Sequence, residues 1–505
     1  MSWLVAVVLS AASVEQSAIA AVHERFETAG RSRPADDARL AVAARSLAQL
    51  AVEKTAGDAA GLLAVTDAVS IAGGWDASPT AILLKASRET VLEELGKLTS
   101  VAAEPASALG IGVAEKGDRV AVCILLAQRK IELAPIARRH AKPPKNVTVC
   151  GTLVAPLETA ELFVTSPAGA VTRFAMSATS FGHCGTFKPA NGRSVVEVLA
   201  RGPKGPEVAA LFFIDVGASV ATADQQIVEP ASPDEARRAV FLRINALRKT
   251  MGLAPVVLDR ALEKIAQRYA EKMASEGFFA HVDPSGGDLK SRLAAGQYRF
   301  SAAGENLGAS NGPLAAHFGI EHSPGHRSNL LEPAHRALGL GLATRASDGV
   351  TLLVQVLASP IDDGGPDPVG AAYQAIDEHR ARKNLKPLKR HAVLEALAQE
   401  HARRCLSRDL LSAELSDGRK LHERVFEAMT TSREASIDLA IVESPMLVPA
   451  SKNLADPRYS AMGLGLARGD SAKYGNDKLW LVVIYASEAA GEDPEKPEHA
   501  GAPTR

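Results

Sequence analysis

One hydrophobic pattern recurs three times along the chain. Residues 108–114, 337–343 and 461–467 read Ala-Leu-Gly-Ile-Gly-Val-Ala, Ala-Leu-Gly-Leu-Gly-Leu-Ala and Ala-Met-Gly-Leu-Gly-Leu-Ala. After a polar turn each is followed by an apolar run, at 120–126, 350–357 and 479–486. The pattern predicts three strand hairpins, and the twin glycines predict a strand crossed closely by another element. An internal repeat of this kind organises a fold, so it outranks local propensity.

A helical stripe precedes each hairpin. Leu258, Leu262, Ile265, Ala266, Tyr269, Ala270 and Met273 fall on one face at helical spacing. An offset of 132, from Pro255 to Pro387, lays Leu394, Leu397, Ala398, His401, Ala402 and Cys405 on that stripe. An offset of 222, from Leu40 to Leu262, does the same for Leu40, Ala43, Ala44, Leu47, Ala48 and Ala51. His401 therefore stands for Tyr269 and Cys405 for Met273, which predicts a packed imidazole that is no ligand and a buried thiol. The middle and last copies share a preceding helix as well, with Arg248 and Arg380 in corresponding places. Ser232-Pro233-Asp234-Glu235 starts the middle one with a capping-box signature.

Between the first two copies, residues 142–217 alternate apolar and polar positions in short runs, among them Val147-Thr148-Val149-Cys150 and Val195-Val196-Glu197-Val198. That period, punctuated by Gly, Pro and Asn, predicts a small antiparallel β-sandwich serving as spacer or platform. Residues 218–233 and 359–370 read as linkers. The expected fold class is multi-domain α/β. Repeat domains at 13–130, 234–358 and 371–487 join the all-β sandwich at 142–217, and residues 488–505 form a disordered tail.

Composition narrows the function classes. The 505 residues carry 57 Lys+Arg against 58 Asp+Glu with 4% aromatics, so no basic stripe for nucleic acid is expected. No apolar run is long enough to span a membrane. Residues 2–12 have a short apolar core followed by small residues, which predicts a secretory signal ending near Ala12 and a secreted, periplasmic or envelope location. The alternative is a buried first segment of the fold. Cys150 and Cys184 lie in one β-rich segment and are free to pair in an oxidising compartment; sequence alone leaves that open. No Cys-x-x-Cys occurs, so a zinc ribbon is not expected.

Chemistry concentrates in the middle copy. Phe279-Ala280-His281-Val282-Asp283, Gly304-Glu305-Asn306 and Ser323-Pro324-Gly325-His326-Arg327-Ser328-Asn329-Leu330 follow the long helix in that order, ahead of Gly339-Leu340-Gly341. This succession resembles bacterial CAP (SCP) domains, the superfamily of cysteine-rich secretory, antigen 5 and pathogenesis-related proteins. The resemblance covers about a quarter of the chain directly and reaches the flanking copies through the repeat. It implies an α/β/α sandwich with a cleft lined by two histidines and two acids. Residue by residue, His281, Glu305 and His326 match, and Glu321 is the nearby acid for the fourth place. Ile320 stands where bacterial members commonly carry Trp.

Three readings of this set are open. Two imidazoles with carboxylates suit a divalent ion such as Zn²⁺. A His oriented by a carboxylate suits general-base catalysis, as in a metal-assisted hydrolase of peptidase type. Mutual satisfaction of the groups, with all copies acting as spacers, needs no ligand. The preferred expectation is an exported binding module whose partner is a lipid, an envelope polymer or a protein. Asn306, Arg327 and Asn329 are its accessory ligand residues or, alternatively, loop braces. No Ser or Cys nucleophile stands beside a base in the sequence pattern, so a triad hydrolase is not expected. His317, His322 and His335 are expected on exposed loops, Asn306 in a turn, and Asp283-Pro284-Ser285-Gly286 as a turn and not a calcium loop. In the last copy Ala450 falls where His326 stands, and neither outer copy keeps the polar clusters. Both are expected to be degenerate CAP-like scaffolds.

Overall fold

The computed structural model of the chain describes residues 11–53, 62–103, 105–217, 227–361, 364, 367–414, 418–430 and 432–487. Most of the expected signal at 2–12 and all of the tail at 488–505 lie outside the described residues. The chain forms two compact units, residues 1–360 and 361–505.

Three four-stranded sheets share one topology. In the middle copy Val257–Leu258 pairs parallel with Ala337–Thr344, which pairs antiparallel with Thr351–Pro360, and that strand pairs antiparallel with Phe300–Ser310. The first copy repeats the order with Ala35–Asp36, Ala108–Lys116, Arg119–Ala127 and Thr80–Ser87. The last does so with Lys389–Arg390, Ala461–Ser471, Gly475–Ala486 and Ala435–Val442.

Helices cover each middle-copy face. Leu352, Val354, Val356 and Ala358 pack with the helix Arg260–Glu276. Leu353 and Leu357, on the other face, pack with Val240, Ile244, Leu314 and Ile320. A strand covered on both sides buries every residue, which is why the second hairpin strands read as unbroken apolar runs. Ile320 fills its place in that core without an indole.

The twin glycines are where the helix crosses the sheet. A Cβ on Gly339 would stand 2.2 Å from the Leu262 carbonyl carbon, and one on Gly341 2.2 Å from the Ala266 oxygen. Gly110 and Gly112 meet Leu40 and Arg45 as closely, and Gly463 and Gly465 meet Leu394 and Ala398. Helix and strand therefore touch backbone to backbone in all three copies.

A second signature is a buried guanidinium. Arg248 donates to the carbonyls of Ala254, Leu330, Glu332 and His335. Arg380 donates to Lys386, Leu454 and Asp456, the same places in the last copy. One planar fork thus ties the end of its own helix to the loop entering the glycine strand. The first copy has a matching helix that the sequence pattern did not reveal. Ala11–Thr28 buries Val14, Ala18, Val22 and Phe26, at the offset of 222 from Ala236, Val240, Ile244 and Arg248 in Pro233–Thr250. Residues 11–28 are thus a packed element, and Phe26 takes the place of the arginine.

Residues 131–216 form two further sheets. One runs Ser177–Thr179, Gly182–Phe187, Val147–Leu153, Ile131–Leu133; the other runs Arg139–His140, Gly205–Val216, Gly192–Gly202, Thr159–Thr165, Val171–Ala175. Val147, Val149, Leu162, Val198, Phe212 and Ile214 belong to one core drawn from both sheets. Ile131–Leu133 and Arg139–His140 extend this module upstream of residue 142. Cys150 and Cys184 face each other on adjacent strands and are joined by a disulfide. Trp75 of the first copy enters the module's core, its indole donating to the Ile131 carbonyl at 2.8 Å.

Candidate functional site

Three elements of the middle copy bring the chemistry together. The helix Arg260–Glu276 ends at Gly277, in the left-handed conformation that a glycine adopts without strain. The loop beyond it is then pinned twice. Tyr269 donates from its hydroxyl to the Ala280 carbonyl at 2.6 Å. Asp283 accepts from Ser285 and Gly287 and pairs with Lys272 Nζ at 2.7 Å, which holds its carboxyl well below the usual carboxylate range. The Asp283 segment is a turn, as expected, and it fixes His281 one residue beyond Ala280.

Glu305 comes from the strand Phe300–Ser310, opposite Val356, and not from a loop. Its Oε1 accepts from His281 Nδ1 at 2.9 Å, and its Oε2 accepts from Arg292 Nη2 at 2.6 Å. Arg292, on the short helix Leu289–Ala295, also reaches the His281 and Gly287 carbonyls and lies 3.4 Å over the Tyr269 ring. Sequence reasoning missed it, because a basic residue on a short helix looks like a solvated one.

His326 lies on the helix Pro324–Leu330, half-buried. Its Nδ1 is 2.7 Å from Ser323 Oγ. A serine beside a base, which the sequence reading did not anticipate, is therefore present. The serine hydroxyl, however, donates to Glu197 Oε2 at 2.5 Å, and the Gly325 N–H donates to Glu197 Oε1 at 2.8 Å. Ser323 thus spends its hydroxyl outside its own helix instead of capping it. Glu197 belongs to the β module and is fully buried, and that burial pushes its carboxyl up to about 7. Burial also pushes His326 down to about 3, with a smaller contribution from the charge of neighbouring His281.

The hydrogen-bond logic of the two imidazoles is the same. A carboxylate only accepts, so His281 donates from Nδ1. While Glu197 is ionised, Ser323 gives its single proton to that carboxylate, so His326 also donates from Nδ1, to the serine oxygen. Each ring is left with Nε2 as its acceptor nitrogen.

The other expected residues lie around this pair. Asn306 is mid-strand and buried, not in a turn; it donates to the His326 carbonyl and accepts from Asn329 at 2.9 Å. Asn329 also donates to the Glu305 carbonyl, and Arg327 donates to the carbonyls of Gly169 and Glu321. The Glu321 carboxylate sits 3.8 Å from His317 Nε2 and 3.8 Å from Arg327 Nη1, so its partners are not His281, Glu305 or His326. His317 and His335 are buried and His322 is half-buried against Phe318, which corrects the expectation of exposed loop histidines. Helix Pro313–His322 turns His317 inward, where Gln355 meets its Nδ1 at 3.0 Å.

Zinc requires at least three protein donors, and both oxygens of Glu305 are already held by His281 and Arg292. Among the described residues no group of three or more His, Cys, Asp or Glu is placed to hold a metal ion. The arrangement does not fit a zinc site.

Among the described residues, the strand position of Glu305 is apolar in both outer copies. Through the paired glycine strands, Glu305 corresponds to Ala81 in the first copy and to Ile437 in the last. Asp438 takes the place of Asn306, and Asn453 donates to it at 2.7 Å as Asn329 donates to Asn306. The same brace is thus present in both copies, beside an acid in the middle one and an isoleucine in the last.

Among the described residues no helix is long and apolar enough to cross a membrane. A 100-residue stretch, 19% of this chain, is 36% identical to 29% of the uncharacterized membrane protein YlbC of Bacillus subtilis (strain 168). A 119-residue stretch, 23% of the chain, is 28% identical to 46% of the uncharacterized protein YkwD of the same organism. The chain thus spans less than half the length of either relative. An extracellular protein containing an SCP domain from Bacillus anthracis aligns at 15% identity over 61% of this chain and 98% of its own, with a TM-score of 0.22. Two segments, residues 241–357 and 373–485, match the cysteine-rich secretory protein family, CAP. Those two segments, together a little under half of the chain, are each similar to the CAP family.

Proposed function

We propose that the middle domain is the binding module of an exported, envelope-associated protein, and that its cleft takes a ligand rich in hydrogen-bond donors. The observation that carries this reading is the pair of acceptor nitrogens at His281 and His326, each with Nδ1 committed to an acid-terminated hydrogen bond. His326 is held neutral down to about pH 3, so its Nε2 is an acceptor wherever Glu197 is ionised. Acceptors call for hydroxyl or ammonium groups, which favours an envelope glycan over a lipid tail or an anion. His281, Glu305 and His326 form the site. Arg292 orients Glu305, and Asn306, Arg327 and Asn329 brace it, with Glu321 outside. Residues 131–216 are read as an all-β sandwich, and residues 13–130 and 371–487 as degenerate CAP-like copies that kept core and bracing.

The test is titration calorimetry of the full chain with an N-acetylhexosamine oligomer and with phosphatidylglycerol vesicles. Glycan binding lost in His281→Ala and His326→Ala supports the reading; vesicle binding, or glycan binding unchanged in both variants, overturns it. A hydrolase is the second reading, favoured by the His281–Glu305 base-and-orienter pair. It requires turnover of a peptide or ester panel that His281→Ala abolishes.

A further inference from the structure

The β module does more than precede the middle domain: it straddles the two segments that carry the histidines. The tip of its long hairpin, Gly202 to Gly205, rests on the His281 loop. Gly205 has φ +92°, and a Cβ there would stand 2.9 Å from His281 Cβ, so only a glycine lets the tip come this close. Val282 donates its N–H to the Lys204 carbonyl at 3.2 Å. At the segment that carries His326, Glu197 holds Ser323 and the Gly325 N–H, and Arg327 donates to the Gly169 carbonyl at 3.1 Å.

The two seams of this module differ in kind. Toward the first copy it shares an apolar core through Trp75, reinforced by Arg193 with Asp67 and by Ser70 with the Phe213 N–H. Toward the middle domain, among the described residues, none of the buried apolar clusters spans the seam. The contacts there are hydrogen bonds, several of them from backbone, which water replaces at small net cost. A buried carboxylate without a cationic partner is the exception, since its desolvation is offset only by two donors.

We propose that the β module is a movable cap on the His281–Glu305–His326 cleft, hinged on the first copy and latched to the middle domain by Glu197. Lifting along the polar seam exposes both histidines to ligand, while the apolar seam stays closed. The proposal rests on the cleft being the binding site, and it makes Glu197 the residue that sets how often the site is open.

Hydrogen exchange of the full chain, read by mass spectrometry, tests it through two amides, one on each segment that carries a histidine. Glu197→Ala removes the acceptor of the Gly325 N–H but leaves the Val282-to-Lys204 bond untouched. A cap that moves as one body therefore exchanges faster at both places, by at least 10-fold, while the strands Gly205–Val216 and Thr351–Pro360 keep their protection. Faster exchange at Gly325 alone overturns the cap, and so does loss of protection in the strands, which means Glu197 only stabilises the fold. If Glu197→Ala fails to fold, Glu197→Leu, similar in size and equally without an acceptor, carries the same comparison. The hexosamine titration separates the two claims. A cap that opens in Glu197→Ala without any glycan binding removes the ligand assignment only. Glycan affinity that is measurable yet unchanged in that variant removes the cap.

Discussion

Tyr269 and His401 occupy equivalent places on the long helices of two successive copies and donate to equivalent carbonyls, Ala280 at 2.6 Å and Ser412 at 2.7 Å. A phenol and an imidazole thus perform one task, holding the loop that leaves the helix. In the middle copy the next residue is His281; in the last it is Ala413. Both copies have the brace, and one of them has a histidine for it to position. His401→Phe should cost about 1–3 kcal/mol by leaving the Ser412 carbonyl without its main partner, whereas His401→Tyr should cost much less. Denaturant unfolding of the two variants checks the order; equal losses would count against the shared role.

The glycine pairs make a sharper prediction. Gly339→Ala places a methyl 2.2 Å from backbone that cannot yield without moving the helix, so a loss of about 1–3 kcal/mol or more is expected. Gly96→Ala meets nothing within 4 Å and sits in a helix, so it should be neutral or slightly stabilising. Thermal unfolding of the pair reads the contrast directly.

Arg248 is buried and bonded to four carbonyls without a carboxylate in contact. A lysine keeps the charge but cannot span that fork. Arg248→Lys should therefore lose about 3 kcal/mol, a large part of what breaking a buried charged network costs. Arg380→Lys should lose a comparable amount in the last copy, where the same bonds recur.

Acid should weaken the first unit through His317. Burial holds this histidine down at about 3, against 6.5 when exposed. Below pH 6.5 the unfolded chain takes up a proton that the native imidazole refuses. The stabilisation is full above 6.5 and declines by about 1.4 kcal/mol per pH unit as pH falls toward 3. His326 acts in the same direction, while Glu197, raised to about 7, acts oppositely between 4.5 and 7. The comparison to make is therefore His317→Gln against the parent chain at pH 7 and pH 5. The parent should lose about 2 kcal/mol more than the variant over that interval. Identical slopes would mean that His317 is reached by water.

How much was legible in the sequence varies with the range of the interaction concerned. The three hairpins, the long helices and the glycine crossings were readable, because each is written in a local period of two or 3.6 residues and repeated at a fixed offset. His281, Glu305 and His326 were readable as motifs, and His401 and Cys405 as core substitutes, from that same alignment. The helix Ala11–Thr28 was not, since its small and mixed residues form a weak stripe.

The tertiary structure alone decided who partners whom. Glu197 alternates between Val196 and Val198, so its position in the strand marks it as outward-facing and solvated; only the neighbouring domain turns that face into an interior. Arg292 and Gln355 likewise acquire meaning from the groups they meet, and Glu321 loses the place that proximity in sequence suggested. Hydrophobic period is a property of a segment and survives in one dimension. Hydrogen-bond partnership joins segments that lie 13 residues apart for Arg292 and Glu305 and 126 apart for Glu197 and Ser323, and no local period records it.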